Sequence, residues 1–157
     1  MTYLEANCYE IPANWGHIAG YYIYLYLFFK KRILFKSKTY FITFIVKEWG
    51  NPNGEPWIVL HGFSDNCGSF DRLLPLFPQN QQMIAIDIPG HGFSSHLGPN
   101  DSYHFEDLNY ITTVAKYYNF DKFSLMGHSM GGRGALQFAA ENSGMILILN
   151  YLPIFRM

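Results

Sequence analysis

Several things are scarce in this chain. Cysteine occurs twice, at Cys8 and Cys67, so no disulfide framework is encoded and a reducing compartment is the default. Charged residues make up only 15% of the chain and nearly cancel, leaving a formal charge of −1. That balance lacks the basic footprint of a nucleic-acid-binding protein. The first fourteen residues, Met1 to Asn14, contain no Lys or Arg, unlike a secretory leader or a transit peptide. Around the aromatic stretch at 21–46 the uncharged run Ile18 to Phe29 falls short of the ~20 residues that a membrane-spanning helix needs. A cytoplasmic location is the resulting expectation, with peroxisomal or membrane-associated placement left open. One absence is local. After residue 129 there is no His and no Asp, and the only carboxylate side chain is Glu141.

What is present is apolar. About half of the 157 residues are hydrophobic, enough for one domain with a real core. The apolar residues fall into a repeating order. Trp57 to Leu60 reads as a short buried strand, followed by a loop at His61 to Asn66 and a helix near 69–77 capped by Ser69. Met83 to Asp87 is the next strand. A turn-rich loop, Asp87 to Ser94, leads to a helix over 102–119 capped by Asp101 or Ser102. Lys122 to Met126 is a strand, 130–142 a helix, and Met145 to Leu149 a last strand. Strands alternating with helices predict an α/β domain around a parallel sheet.

Residues 21–46 break this order. They hold ten of the chain's 26 Phe and Tyr and five of its eleven Lys and Arg, without a single Gly, Pro, Asn or Asp to turn the chain. Their apolar residues keep neither a strand nor a helix period for long. Two readings are open. The basic and aromatic cluster suits contact with a membrane surface. Alternatively, because nearly every residue type in the run can be written with A/T-rich codons, it is translated non-coding sequence. Cutting it out would join Trp15-Gly16-His17-Ile18-Ala19-Gly20 to Lys47-Glu48-Trp49-Gly50 as one strand before the turn Asn51 to Gly54. The expected organisation is therefore N-terminal strands at 1–20, an aromatic and basic insert at 21–46, and an α/β core at 47–157. Residues 150–157 are a second, less distinct candidate for foreign reading frame.

The chemistry lies at Gly127-His128-Ser129-Met130-Gly131, between a strand and a helix. Gly-x-Ser-x-Gly in that setting marks a nucleophile elbow, a strained turn that presents the serine hydroxyl at a helix N-terminus. Upstream, His61-Gly62 follows a strand, and Asp87-Ile88-Pro89-Gly90-His91-Gly92-Phe93-Ser94 forms a second landmark. Together these segments resemble the α/β-hydrolase superfamily. Trp15 to Ala19, Leu60 to Asn66, Ser69 to Pro75 and Gly127 to Gly132 bring the chain nearest to the serine hydrolase-like, kraken-type proteins. The resemblance covers residues 3–20 and 47 to about 145.

The resemblance implies an α/β-hydrolase fold represented by its N-terminal half, truncated before the lid and the C-terminal strands. It implies Ser129 as nucleophile, with the backbone N–H groups of Phe63 and Met130 as an oxyanion hole, and His61, Gly62, Gly127, His128 and Gly131 in support. The implied reaction is hydrolysis of a small-molecule ester, thioester or amide through an acyl-enzyme. Neither a metal nor an organic cofactor is implied. Read on their own, His61 and His91 tie loops together, Asp87 caps turns, and Arg133 either edges the pocket or forms an ion pair. A serine nucleophile needs a base and an orienting acid, which in this fold follow the serine in sequence. Glu141 lies twelve residues along the same helix, ~18 Å away at 1.5 Å per residue, and cannot serve. This polypeptide is accordingly expected to be inactive. The alternative is a non-catalytic isoform, a membrane-surface or partner-binding fragment, or a gene-model artefact. Ile146 to Leu149 is expected to form an exposed sheet edge through which chains self-associate.

Overall fold

The computed structural model describes residues 30–36, 41–96, 98 and 107–152. The expected strands at 1–20, the cap at Asp101 or Ser102, and residues 153–157 lie outside them. Within the described residues six strands form one mixed sheet: β1 (Lys30–Lys36), β2 (Phe41–Gly50), β3 (Glu55–Leu60), β4 (Gln81–Ile86), β5 (Phe123–His128) and β6 (Ile146–Leu152). Their order is β1-β2-β4-β3-β5-β6. β3 to β6 run parallel to one another, while β2 is antiparallel to both β1 and β4. The parallel sheet read from the sequence is thus extended by an antiparallel margin. Among the described residues two α-helices join it, α1 (Asn109–Tyr117) and α2 (Met130–Glu141). Among the described residues no helix is long and apolar enough to cross a membrane.

Strand periodicity divides the core cleanly. Ile58, Leu60, Ile84 and Ile86 face one way, into a cluster completed by Ile111 and Val114 of α1 and Ala135 and Phe138 of α2. Trp57, Val59, Met83 and Ala85 face the other way and pack on Cys67, Phe70 and Leu74. Alternate residues point to opposite faces of a strand, so continuous apolar runs such as Trp57 to Leu60 require cover on both sides. The two helices supply that cover on one face. On the other, the helix expected near 69–77 is replaced by two short 3-10 turns, Cys67–Phe70 and Leu74–Leu76. Pro75 explains the difference, because it has no N–H to give and its ring clashes with the preceding turn of an α-helix. Asn66, not Ser69, caps the first turn, its Oδ1 accepting from Gly68 N–H at 2.8 Å. α1 starts at Asn109 and stops where Asn119 adopts φ 56°, a left-handed ending.

The boundary drawn between residues 46 and 47 falls inside β2. Phe44, Ile45 and Val46 are buried, and Phe44 and Val46 belong to the helix-side cluster. This stretch is also hydrogen-bonded into the Asp87–Ser94 landmark. Ile45 N–H donates to Ser94 Oγ at 2.9 Å, and Asp87 N–H donates to Ile45 O at 2.9 Å. Ser95 closes the same seam: its Oγ accepts from Thr43 N–H and its N–H donates to Thr43 O. The C-terminal end of the aromatic segment is therefore sheet and core rather than an appendage. Further along β2, the buried Lys47 pairs with Asp71 and lies over the Trp49 ring, 5.2 Å from its centroid.

Candidate active site

β5 carries the chain straight into the elbow. Ser129 has φ 52° and ψ −112°, one of three non-glycine residues with positive φ among those described. Such a conformation costs on the order of 1–3 kcal/mol and persists only where its surroundings enforce it. Here the enforcement is dense packing of small residues. A Cβ on Gly127 would come within 2.4 Å of Gly131 O, and one on Gly131 would meet His61 O at 2.4 Å and Leu60 O at 2.5 Å. Gly131 N–H donates to His61 O at 3.1 Å, Arg133 N–H to Ser129 O at 3.0 Å, and Ser129 N–H to Leu152 O at 3.3 Å. The elbow is thus pinned to the end of β3 on one side and to β6 on the other.

The loop after β3 arrives at the same place. A Cβ on Gly62 would lie 2.9 Å from His128 Nδ1 and 3.5 Å from Ser129 Cβ, so a side chain there would press on the His128 ring beside Ser129. Phe63 follows, two-thirds exposed, and lines a single open pocket of about 580 Å³ with Ser129, Met130, Arg133, Leu136 and Tyr151. Three residues singled out by sequence, Phe63, Ser129 and Met130, are therefore brought together. Met130 opens α2, so its N–H lies in the first turn, where the backbone donors have no intrahelical acceptor.

His61 is fully buried and spans two loops. Its Nε2 accepts from Ile88 N–H at 3.0 Å, which leaves Nδ1 as the protonated nitrogen, donating to Gly62 O at 2.7 Å. Burial lowers its pKa below 6.5, and the neighbouring His91 adds to the effect. A neutral ring with both nitrogens engaged is a tie between loops and has no site left for a catalytic proton. His91 packs on it, ring centroids 5.1 Å apart, and meets the Phe63 ring edge-on at 6.0 Å. Asp87 is also fully buried and accepts from Cys67 N–H at 2.7 Å and Phe93 N–H at 2.9 Å. It caps turns, as read from the sequence. Among the described residues, no histidine or carboxylate is hydrogen-bonded to Ser129 Oγ.

Tyr151 is the pocket residue that sequence reasoning missed. Its ring lies where a Cβ on Gly132 would stand, 2.3 Å away, so the second glycine of Gly131-Gly132 makes room for it. The pair Gly127↔Tyr151 in the β5–β6 register sets the ring beside the elbow. A Gly-Gly pair at the start of a helix was the available sign that something packs there. Its partner lies in 150–157, the stretch set aside as foreign reading frame.

Comparison with known proteins agrees with this geometry. Residues 55–147 match the model of the alpha/beta hydrolase fold family. The chain belongs to the α/β-hydrolase family. Within it, a serine hydrolase-like protein of Homo sapiens is 40% identical over 112 residues, covering 69% of this chain and 55% of its own length. A probable serine hydrolase of Drosophila melanogaster is 43% identical over 97 residues, covering 60% of this chain and 29% of its own. Among solved structures, a hypothetical protein of Pseudomonas aeruginosa PAO1 superimposes with a TM-score of 0.69 at 30% identity, over 80% of this chain and 44% of the other. This hydrolase-fold chain therefore spans about half or less of the length of these relatives.

Proposed function

We propose that this chain carries the nucleophile half of a serine hydrolase site and is catalytically idle as a separate polypeptide. The observation that supports the first part is the strained Ser129 at the tip of the elbow, sharing one pocket with Phe63 and Met130. In the proposed chemistry Ser129 Oγ attacks the carbonyl carbon of an ester, thioester or amide. The carbon–heteroatom bond to the leaving group breaks, the hydroxyl proton passes to that group through a base, and water later releases the acyl group. Negative charge on the carbonyl oxygen is stabilised by the N–H groups of Phe63 and Met130. One such donor is worth about 3–4 kcal/mol of barrier.

The second part rests on the lack, among the described residues, of a base at Ser129. His61 is committed to Ile88 and Gly62, and residues 130–157 contain no histidine. Without proton transfer to a base, a neutral serine hydroxyl is a poor nucleophile. Losing a triad member lowers turnover by ~10⁴–10⁶. The test is hydrolysis of p-nitrophenyl acetate by the purified chain and by Ser129→Ala. The two rates should agree within error. A Ser129-dependent burst would show that a base is present, and His91→Ala would then identify or dismiss the half-buried His91, which packs against Phe63.

A further inference from the structure

The pocket beside Ser129 has one charged wall. Of its lining residues, Phe63, Met130, Leu136 and Tyr151 present mainly carbon, and Arg133 alone carries a full charge at neutral pH. Arg133 is exposed and, among the described residues, forms no ion pair. The acid on its own helix, Glu141, is two turns further on and accepts from Gln137 Nε2 at 3.0 Å. Arg133 follows Ser129 by four residues, ~6 Å along the helix axis. Both residues line the same pocket, so Arg133 is placed to meet a group carried a short acyl chain away from the carbonyl carbon that Ser129 would attack.

We infer that the pocket selects esters and thioesters that carry a carboxylate a few bonds from the reacting carbonyl, and that Arg133 is the group that recognises it. This rests on Ser129 marking the reacting end. A neutral substrate would be held by the apolar walls alone and would gain nothing from the guanidinium. A carboxylate adds charge-assisted hydrogen bonds, for which the planar guanidinium is suited. Because Arg133 is solvated, the gain is that of an exposed pair, on the order of 1.5- to 5-fold in affinity. Ionic strength screens it.

The probes are monomethyl adipate, which carries one carboxylate, and dimethyl adipate, which carries none. Each is titrated into the ¹⁵N-labelled chain, and binding is read from amide shifts around Met130, Arg133 and Tyr151. The monoester should bind more tightly than the diester, within that range, and lose its advantage in 0.5 M salt (about 4 Å of screening length). Arg133→Gln should bind both alike, and Arg133→Lys should keep part of the preference. Equal binding of the two esters by the wild-type chain, an unchanged preference in Arg133→Gln, or binding of neither ester would overturn the inference. The Ser129→Ala chain separates the two proposals. If it keeps the preference while no test detects a reactive Ser129, the pocket binds anionic esters and the hydrolase reading alone has failed.

Discussion

Two glycines in the same helix should respond oppositely to the same substitution. Gly131 and Gly134 both lie in α2 and both are buried. At Gly131 an added methyl would stand 2.4 Å from His61 O and 2.5 Å from Leu60 O, both backbone atoms at the end of β3. Neither can move without shifting the strand, so α2 must lift and lose the Gly131 N–H to His61 O bond. Overpacking costs roughly 1–3 kcal/mol and the hydrogen bond about another 1 kcal/mol, against a helix-propensity gain of at most ~1 kcal/mol. The net is ~1–4 kcal/mol of destabilisation. At Gly134 the methyl would meet Leu108 Cδ2 at 3.3 Å, the end of a flexible side chain, and Tyr110 Oη at 3.7 Å. There the propensity gain prevails, and Gly134→Ala should be neutral or up to ~1 kcal/mol more stable. Urea denaturation followed by far-ultraviolet circular dichroism measures both. A Gly131→Ala chain as stable as wild type would refute the reasoning, because it would mean that the elbow does not press on β3 as described.

Other consequences are as direct. His61 has its pKa lowered on folding, so the unfolded chain takes up its proton first. The stability it contributes is complete above the unfolded value of 6.5 and is lost as pH falls through that value towards the folded one. Melting temperature between pH 7.5 and 5 should therefore fall more steeply in wild type than in His61→Asn. Asp87→Ala leaves the N–H groups of Cys67 and Phe93 without their acceptor and should cost ~2–4 kcal/mol, measured by denaturant titration. Phe44→Ala tests whether β2 belongs to the core. A loss of ~3–5 kcal/mol is expected, whereas an unchanged midpoint would return residues 41–46 to the status of an appendage.

The elbow was legible because three independent signals coincide there: the pentapeptide, the apolar strand before it and the amphipathic helix after it. β3, β4, β5 and α2 were legible for the same reason, since each is an unbroken apolar run or stripe with a glycine or proline at its edge. Lys47 to Gly50 was read as strand, but Phe41 to Val46 was not, because its composition differs from its surroundings and composition says nothing about pairing. β2 is held through its own backbone groups, Thr43 and Ile45 N–H donating to the Ser95 and Ser94 hydroxyls and their carbonyls accepting from Ser95 and Asp87 N–H, so the side chains of β2 do not announce the pairing. Tyr151 was invisible for a related reason. Its place in the pocket depends on the β5–β6 register and on the absence of a side chain at Gly132, which are properties of two segments together. The origin of residues 21–46 is a separate matter. We propose that they derive from unspliced sequence, and a mature transcript that always retains them would contradict this.

The central proposal is that Ser129 and the N–H donors of Phe63 and Met130 are assembled without a base to serve them. Boronic acids separate these two properties, because trigonal boron accepts the serine oxygen, the hydroxyl proton passing to solvent, to form an anionic tetrahedral adduct in which a boron-bound hydroxyl occupies the oxyanion position without any leaving group having to depart. Boron-11 NMR of the chain with millimolar phenylboronic acid reads the geometry at boron directly. The account predicts a tetrahedral signal that disappears in Ser129→Ala, from a chain that does not turn over p-nitrophenyl acetate. Trigonal boron alone, in wild type and variant alike, would contradict it.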